Sequence, residues 1–190
     1  MLIVTLVVFT MHVTGTLNYL FVREKFEWTL REWTVFESSN TIISVGGLFI
    51  GLTVLKKGLK ISDMKLAMLA LASSIVDSTF KAFATRSIHM YLSSGISLFR
   101  LLSTPMFRSI MSIVLPHEEI GKIYSLTTCF EALSGLGAGP LYTTIYKSTF
   151  KTFPGAFHLI NTSVFTIDLF LAFMVTRWIV RRRNFARSVD

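Results

Sequence analysis

Residues 2–22 read LIVTLVVFTMHVTGTLNYLFV and contain no Lys, Arg, Asp or Glu. A helix needs about 20 predominantly apolar residues to cross a bilayer, so this run is long enough for one full crossing. A secretory signal peptide is the alternative for an N-terminal apolar run, and it would carry a basic segment ahead of the apolar one. No Lys or Arg precedes Arg23. The stretch therefore predicts a transmembrane helix.

The composition of the whole chain agrees with a membrane protein. Of its 190 residues, 52% are hydrophobic and only 16% are charged, whereas about 25% are charged in an ordinary soluble domain. A soluble domain of this size could not bury so much apolar surface, and a disordered chain would be far less hydrophobic. Cys129 is the single cysteine, which excludes a disulfide scaffold. The lipid bilayer is therefore the predicted environment.

The basic character of the chain does not indicate a nucleic-acid partner. The net charge is +8, but the basic residues lie between and after the apolar runs and are not interleaved with aromatic residues on one polar face. In a membrane protein the distribution of Lys and Arg matters more than their total. We therefore expect no nucleic acid to bind.

Five further apolar runs follow the first one. We predict a single all-α transmembrane domain over residues 1–190, a six-helix bundle with a basic cytoplasmic tail at 181–190. Strands are excluded because a membrane strand alternates polar and apolar residues over about ten positions, and these runs are longer and apolar on every face. The predicted spans are residues 2–22, 38–55, 66–84, 92–115, 123–146 and 157–180.

The Lys and Arg residues in alternate connections predict the orientation, because cytoplasmic loops carry the excess. One side holds the larger set: Lys56, Lys57, Lys60, Lys65, Lys122, Arg177, Arg181, Arg182, Arg183 and Arg187. The other side holds the smaller set: Arg23, Lys25, Arg31, Arg86, Lys147 and Lys151. We therefore expect both chain ends on the cytoplasmic side.

Charged residues inside the spans are the main functional candidates. A charge at the bilayer centre costs at least about 2.5–3.5 kcal/mol, so such residues face a bundle interior. Asp77 and Lys81 are four residues apart and share a helix face. They form either a structural ion pair or a pair that opens when a proton or substrate binds. Asp168 is a further candidate, with no obvious partner in the sequence.

Two arginines of the fourth span form a basic stripe. Arg100, Thr104 and Arg108 recur at four-residue steps, and Pro105 between them predicts a kink. This span has no acidic residue, so the partner is either an acidic side chain elsewhere or an anionic substrate. We expect Arg108 to act in substrate binding or proton coupling, and Arg100 to extend towards the lipid headgroups.

Small residues on two spans predict close helix packing. Gly47 and Gly51 form one G-x-x-x-G pattern, and Gly135 and Gly139 form another, which begins one turn after Glu131. Pro140 follows directly and predicts a kink or break. Glu131 itself is either a proton site or the partner of an arginine.

His12 lies in the middle of the first span. It is either a neutral buried histidine or a proton-coupling group, since imidazole titrates near physiological pH. The chain shows no metal-ligand spacing, no Ser-His-Asp set and no phosphate-binding loop. We therefore expect no enzyme, no metal and no cofactor.

One motif resembles a known family. The string STPMFRSIMSIVLPHEEIGKIYSL, residues 103–126, is similar to the tenth helix and following cytoplasmic loop of the proton-coupled folate transporters, solute carrier family 46 of the major facilitator superfamily. The matching positions are T-P-x-x-R at 104–108 and E-x-G-K-x-Y-S at 119–125. Weaker similarity covers NYLFVREKFEWT at 18–29 and FPGAFHL at 153–159.

The resemblance implies that the six spans correspond to helices 7–12 of a twelve-helix carrier. It implies proton-driven symport of folate-like or other organic anions, with Arg108 linked to substrate binding and proton coupling and His12 to proton coupling. It also implies the plasma membrane, with the endolysosomal membrane as the alternative.

Substrate sites in such carriers lie between the two halves. We therefore expect this chain to be a C-terminal fragment, or a half that pairs with a separate N-terminal half or a second copy. The rival hypothesis is a non-transporting membrane scaffold or regulatory half, in which the charges inside the spans only join helices.

Overall fold

The computed structural model describes residues 1–187, and it describes every side chain in that range except those of Val13 and residues 182–187. The helical elements are α1 (Leu2–Phe26), α2 (Leu30–Ile50), α3 (Asp63–Ala82), α4 (Ser87–Ile96), α5 (Ser103–Val114), α6 (His117–Thr149) and α7 (Ala156–Arg187). No strand occurs among these residues, so the predicted all-α class is confirmed.

Three of the helical segments are long and apolar enough to cross a membrane. Within the described residues they are Leu2–Phe26, Leu30–Gly58 and Ala156–Arg181. The other helical segments carry more charge or are shorter. Residues 87–114, for example, divide into three consecutive pieces. The structure is that of a helical membrane protein, and the count of six crossings stays a prediction.

The segment between α1 and α2 shows how the sequence sets helix ends. α1 ends at Phe26, and the next residue, Glu27, adopts a left-handed conformation with φ 57°. α2 then begins with a capping box, in which the Thr29 hydroxyl accepts a hydrogen bond from the Glu32 backbone and the Glu32 carboxylate accepts one from the Thr29 backbone. This reciprocal arrangement satisfies two of the free amides at the helix start.

Two segments depart from α-helical geometry. α2 continues as a π-helix over Gly51–Gly58, and a 3-10 helix over Ser97–Leu102 joins α4 to α5. Pro105 follows this 3-10 segment and lies in the first turn of α5, where its missing amide hydrogen costs little. Pro140 lies inside α6, which continues from His117 to Thr149. The expectation that α6 breaks near Pro140 is therefore wrong.

The helices pack around α3, which lies against α7, α5 and the 3-10 segment, while α1 lies against α6 and α7. One core cluster is aromatic and centres on Phe21, Phe36, Tyr142 and Phe157. The other is mainly aliphatic and joins α1, α3, α5 and α7. Large apolar side chains such as Phe49 and Leu136 point outwards and are more than half exposed, as expected of surfaces that contact lipid tails or another chain.

The basic tail predicted at 181–190 lies only partly within the described residues. The helix α7 reaches Arg187, and residues 188–190 are outside the described range.

Candidate functional site

Arg108 and Glu131 form an ion pair between α5 and α6. Nη2 of Arg108 donates to both carboxylate oxygens of Glu131, at 2.9 and 2.8 Å. The Tyr124 hydroxyl donates to the Arg108 backbone carbonyl at 2.7 Å, which fixes the backbone beside the pair. The sequence left open whether Arg108 faces an acidic side chain or a substrate. The structure places Glu131 there.

The pair leaves part of the guanidinium free. The Arg108 side chain is 41% exposed, whereas that of Glu131 is 12% exposed. The Nε atom of Arg108 has no hydrogen-bond partner within the described part of the chain. Since a guanidinium carries five N–H donors, Arg108 can hold Glu131 and still bind another acceptor.

Asp77 and Lys81 form a second, fully internal ion pair on α3. Nζ of Lys81 lies 2.9 Å from Oδ2 of Asp77, and both side chains are at most 4% exposed. Oδ1 of Asp77 has no partner among the residues described. Removing one member of such a pair typically costs about 3–5 kcal/mol, because the other charge is left buried and unpaired.

His12 faces a groove between α1 and α6 rather than the core. Its Nδ1 lies 3.0 Å from the Val8 carbonyl, so Nδ1 carries the hydrogen and Nε2 is an acceptor when the ring is neutral. The ring lies over Gly135, where an added Cβ would come within 3.0 Å of the ring atom Cδ2. His12 is exposed in this groove, so the interpretation of a buried histidine is wrong.

The predicted glycine patterns have different surroundings. An added Cβ at Gly47 would overlap the backbone of Leu98, and one at Gly51 would overlap the Leu102 side chain. α2 therefore approaches the 3-10 segment closely at both positions. Gly135 makes room for His12, but an added Cβ at Gly139 would meet no described atom within 4 Å. Close packing at Gly139 stays a prediction.

A polar cavity of about 170 Å³ lies inside the bundle. α1, α2, α3, the 3-10 segment and α7 all contribute to its wall. Its polar lining consists of Thr10, Thr14, Asn18, Glu37, Asn40, Ser78, Lys81, Arg100, His158 and Asn161.

Buried amides form the frame of this cavity. Asn161 accepts a hydrogen bond from the Tyr142 hydroxyl at 2.5 Å and donates one to the Thr14 hydroxyl at 3.3 Å. These bonds join α6, α7 and α1. Oδ1 of Asn18 and Oδ1 of Asn40 are buried without a hydrogen-bond partner among the described residues.

Arg100 belongs to this cavity and not to the lipid surface. Its side chain lines the cavity wall, and its Nε is buried without a partner in the described chain. The expectation that Arg100 extends towards the headgroups is therefore wrong. The 3-10 geometry of residues 97–102 changes the direction of the side chains that follow α4, since 3-10 and α-helices differ in residues per turn.

Comparison with known proteins identifies the family. No family model matches the chain. A probable peptidoglycan muropeptide transporter SLC46 of Drosophila melanogaster is 33% identical to it over 97% of its length. The chain belongs to solute carrier family 46. It is also 31% identical, over 64% of its length, to a lysosomal proton-coupled steroid conjugate and bile acid symporter of Gallus gallus, and 26% identical, over 58%, to the proton-coupled folate transporter of Rattus norvegicus.

The family relatives are much longer than this chain. The matched regions cover 36%, 26% and 24% of these three relatives. The chain therefore spans about a third or less of the length of these relatives. The resemblance found in residues 103–126 is confirmed at the level of the family.

The structure groups the predicted residues of this solute carrier family 46 chain into three places. Arg108 and Glu131 form one, His12 lies in the α1–α6 groove, and Lys81 lies with its partner Asp77 beside the interior cavity. Sequence reasoning missed Glu37 and the asparagines of the cavity. Glu37 precedes the predicted second span by one residue, and a buried asparagine carries no charge that would mark it within an apolar run.

Asp168 is a separate feature of α7. Its side chain is fully buried, and neither carboxylate oxygen has a hydrogen-bond partner in the part of the chain that is described. A buried, unpaired carboxylate is costly in its ionised form. Asp168 is thus isolated from the two ion pairs.

A polar cluster joins the π-helical segment, α3 and α5 of this chain. Oδ1 of Asp63 lies 2.8 Å from Nζ of Lys56, and Oδ2 accepts a hydrogen bond from the Ser109 hydroxyl at 2.6 Å. Burial acts to raise the pKa of Asp63, but the two hydrogen bonds and the charge of Lys56 outweigh it and lower that pKa.

We expect Asp63→Asn to reduce stability by about 1 kcal/mol at neutral pH. A lowered folded-state pKa stabilises above the unfolded-state value of about 3.9, and this stabilisation is lost as pH falls through the folded-state pKa. Thermal denaturation in lipid nanodiscs should therefore show that the stability difference between the variant and the wild type becomes smaller at acidic pH. Glu27→Gln, at an exposed site, is the control. An equal deficit at every pH would contradict this electrostatic account.

Proposed function

We propose that this chain is the C-terminal six-helix half of a proton-coupled symporter for folate-like or other organic anions. The Arg108–Glu131 pair is the main support for this proposal, because the Arg108 guanidinium binds a protein carboxylate and is also partly exposed. Proton binding to Glu131 would remove its charge and weaken its hold on Arg108. The guanidinium would then bind the carboxylate of an anion, for which its paired donors are suited.

His12 has a second part in this proposal. Its Nε2 is an acceptor on the exposed side of α1, in the groove that also borders Gly135. We propose that His12 passes protons along the groove. Asp77 and Lys81 either keep α3 electrically neutral as an ion pair, or separate from each other during transport.

The proposed substrate site needs a second half. Sites in carriers of this architecture lie between the two halves of the protein, and the groove with His12 is open on one side. An N-terminal six-helix half, or a second copy of this chain, would close it. We propose cytoplasmic chain ends, residence in the plasma membrane, and the endolysosomal membrane as the alternative. The names of the relatives support anionic cargo: folate, bile acids and steroid conjugates, and muropeptides.

Uptake in cells that express the polypeptide encoded by the native transcript tests this proposal. We expect uptake of radiolabelled folate, taurocholate or a muropeptide to rise when the outer medium is made mildly acidic, and to collapse when a protonophore removes the gradient. Cells with an empty vector are the control. If none of the three anions is taken up at any pH, while the protein reaches the membrane, the rival scaffold hypothesis is favoured instead.

A further inference from the structure

The interior cavity contains charges that the Arg108–Glu131 pair does not use. Arg100, Lys81 and Glu37 all line it. Lys81 is already neutralised by Asp77. Neither Arg100 nor Glu37 forms an ion pair within the described residues. An unpaired cation and an unpaired carboxylate thus line the same cavity without contacting each other.

Without a bound ligand, the charges around this cavity sum to zero only when Glu37 is ionised. With Glu37 ionised, the positive Lys81 and Arg100 match the negative Asp77 and Glu37. An entering anion would then add an uncompensated charge in a region of low dielectric constant, which is costly. With Glu37 protonated, the set carries one net positive charge, and a single anion at Arg100 restores neutrality. Anion and proton are therefore expected to enter together.

The size of the cavity selects a small ligand. Pockets for drug-sized molecules have volumes of about 300–1,000 Å³, whereas this cavity has about 170 Å³. It can hold a carboxylate group together with a few waters. A guanidinium is well suited to a planar carboxylate, and the amides of Asn18, Asn40 and Asn161 surround the same space.

We propose that Arg100 and Glu37 form a proton-gated site for one carboxylate group, separate from Arg108 and Glu131. The carboxylate belongs either to a free small acid or to the end of a larger cargo. The inference rests on the proposed function only in that the chain is taken to be an anion carrier. Among groups described around the cavity, the other titratable ones are His158 on α7 and the Asp77–Lys81 pair on α3, while α1 contributes only uncharged side chains.

Binding measurements on the native-length polypeptide in lipid nanodiscs test the site. The probes are radiolabelled acetate, as a free small acid, and radiolabelled folate, as a larger cargo. In the wild type we expect affinity to fall by about tenfold for each unit of rising pH, because one proton enters with each anion. A pH-indicator dye in weak buffer should report that proton uptake.

The variants separate the two roles. Arg100→Gln should weaken binding by about 10- to 100-fold at every pH, since a charge-assisted hydrogen-bond partner is lost. Glu37→Gln should bind the anion without pH dependence and without proton uptake, because the amide is always uncharged, as a protonated Glu37 is. Arg86→Gln and Glu27→Gln, at exposed sites, should behave as wild type. His158→Gln should keep the wild-type pH dependence.

The results distinguish the sources of the carboxylate. Acetate binding that depends on Arg100 assigns the site to free small acids, and folate binding alone with that dependence assigns it to cargo. No binding of either probe overturns the proposal. So does unchanged binding in Arg100→Gln, or a pH dependence that survives Glu37→Gln or disappears in His158→Gln.

The outcome also separates this site from the transport proposal. If folate uptake requires Arg108 while the Arg100 variant binds both probes normally, the transport proposal is supported and the interior site is contradicted. If acetate binding depends on Arg100 and Glu37 while the wild type takes up no anion, the interior site is supported and the transport proposal is contradicted.

Discussion

Replacing Arg108 with alanine is expected to reduce organic-anion uptake by about 30-fold or more, with normal amounts of protein at the membrane. Loss of a hydrogen bond between charged groups typically costs about 1.5–3 kcal/mol, and a loss of about 2 kcal/mol corresponds to about 30-fold. Here the same change also removes the donors that we propose for the anion. Initial rates of radiolabelled folate uptake, normalised to surface protein, provide the measurement. Arg86→Ala, at an exposed arginine between α3 and α4, is the control.

Exchanging the two charges separates a substrate role from a structural one. The double variant Arg108→Glu with Glu131→Arg keeps one cation and one anion between α5 and α6. If the pair only joins these helices, the exchange should restore uptake. If Arg108 binds the anion, uptake should stay low although stability recovers. Wild-type uptake by Arg108→Ala would remove Arg108 from the proposed mechanism.

The largest effect on stability is expected at Gly47. Alanine there would place a Cβ against the backbone carbonyl of Leu98, and a backbone atom cannot move aside as a flexible side chain can. Overpacking of this kind costs about 1–3 kcal/mol. We expect Gly47→Ala to lower the midpoint of thermal denaturation in nanodiscs by about 5–10 °C.

The neighbouring glycine provides a matched control. An added Cβ at Gly46 would meet no described atom within 4 Å, and alanine is favoured over glycine inside a helix by about 0.5–1 kcal/mol. Gly46→Ala should therefore leave the denaturation midpoint unchanged or raise it. A Gly47→Ala protein as stable as the wild type would show that α2 does not approach the 3-10 segment so closely.

The class of the protein and the membership of its family could be predicted from the sequence. The uncharged run at 2–22 and the low charge content determine a helical membrane protein, because apolar surface on every face cannot be exposed to water. Asp77 and Lys81 are neighbours on a helix at a spacing of four, so their ion pair is a local property that spacing alone predicts.

Contacts between distant residues depended on the tertiary structure. Arg108 and Glu131 are 23 positions apart, and no periodicity shows that α5 and α6 bring them together. The sequence is compatible with a buried or an exposed His12, and the packing of α1 against Gly135 places it in a groove. Hydropathy also predicts Arg100 at the lipid interface, because the 3-10 turn that redirects its side chain leaves no pattern in hydropathy.

The sequence by itself thus determined that helices form and that they lie in a membrane, since both follow from local hydrogen bonding and from the solvation of apolar side chains. The tertiary packing alone decided which polar groups face each other, because that depends on how five separate elements close around one space. Glu37, Arg100 and the asparagines meet only there, so the cavity that they line has no signature in any one stretch of the chain.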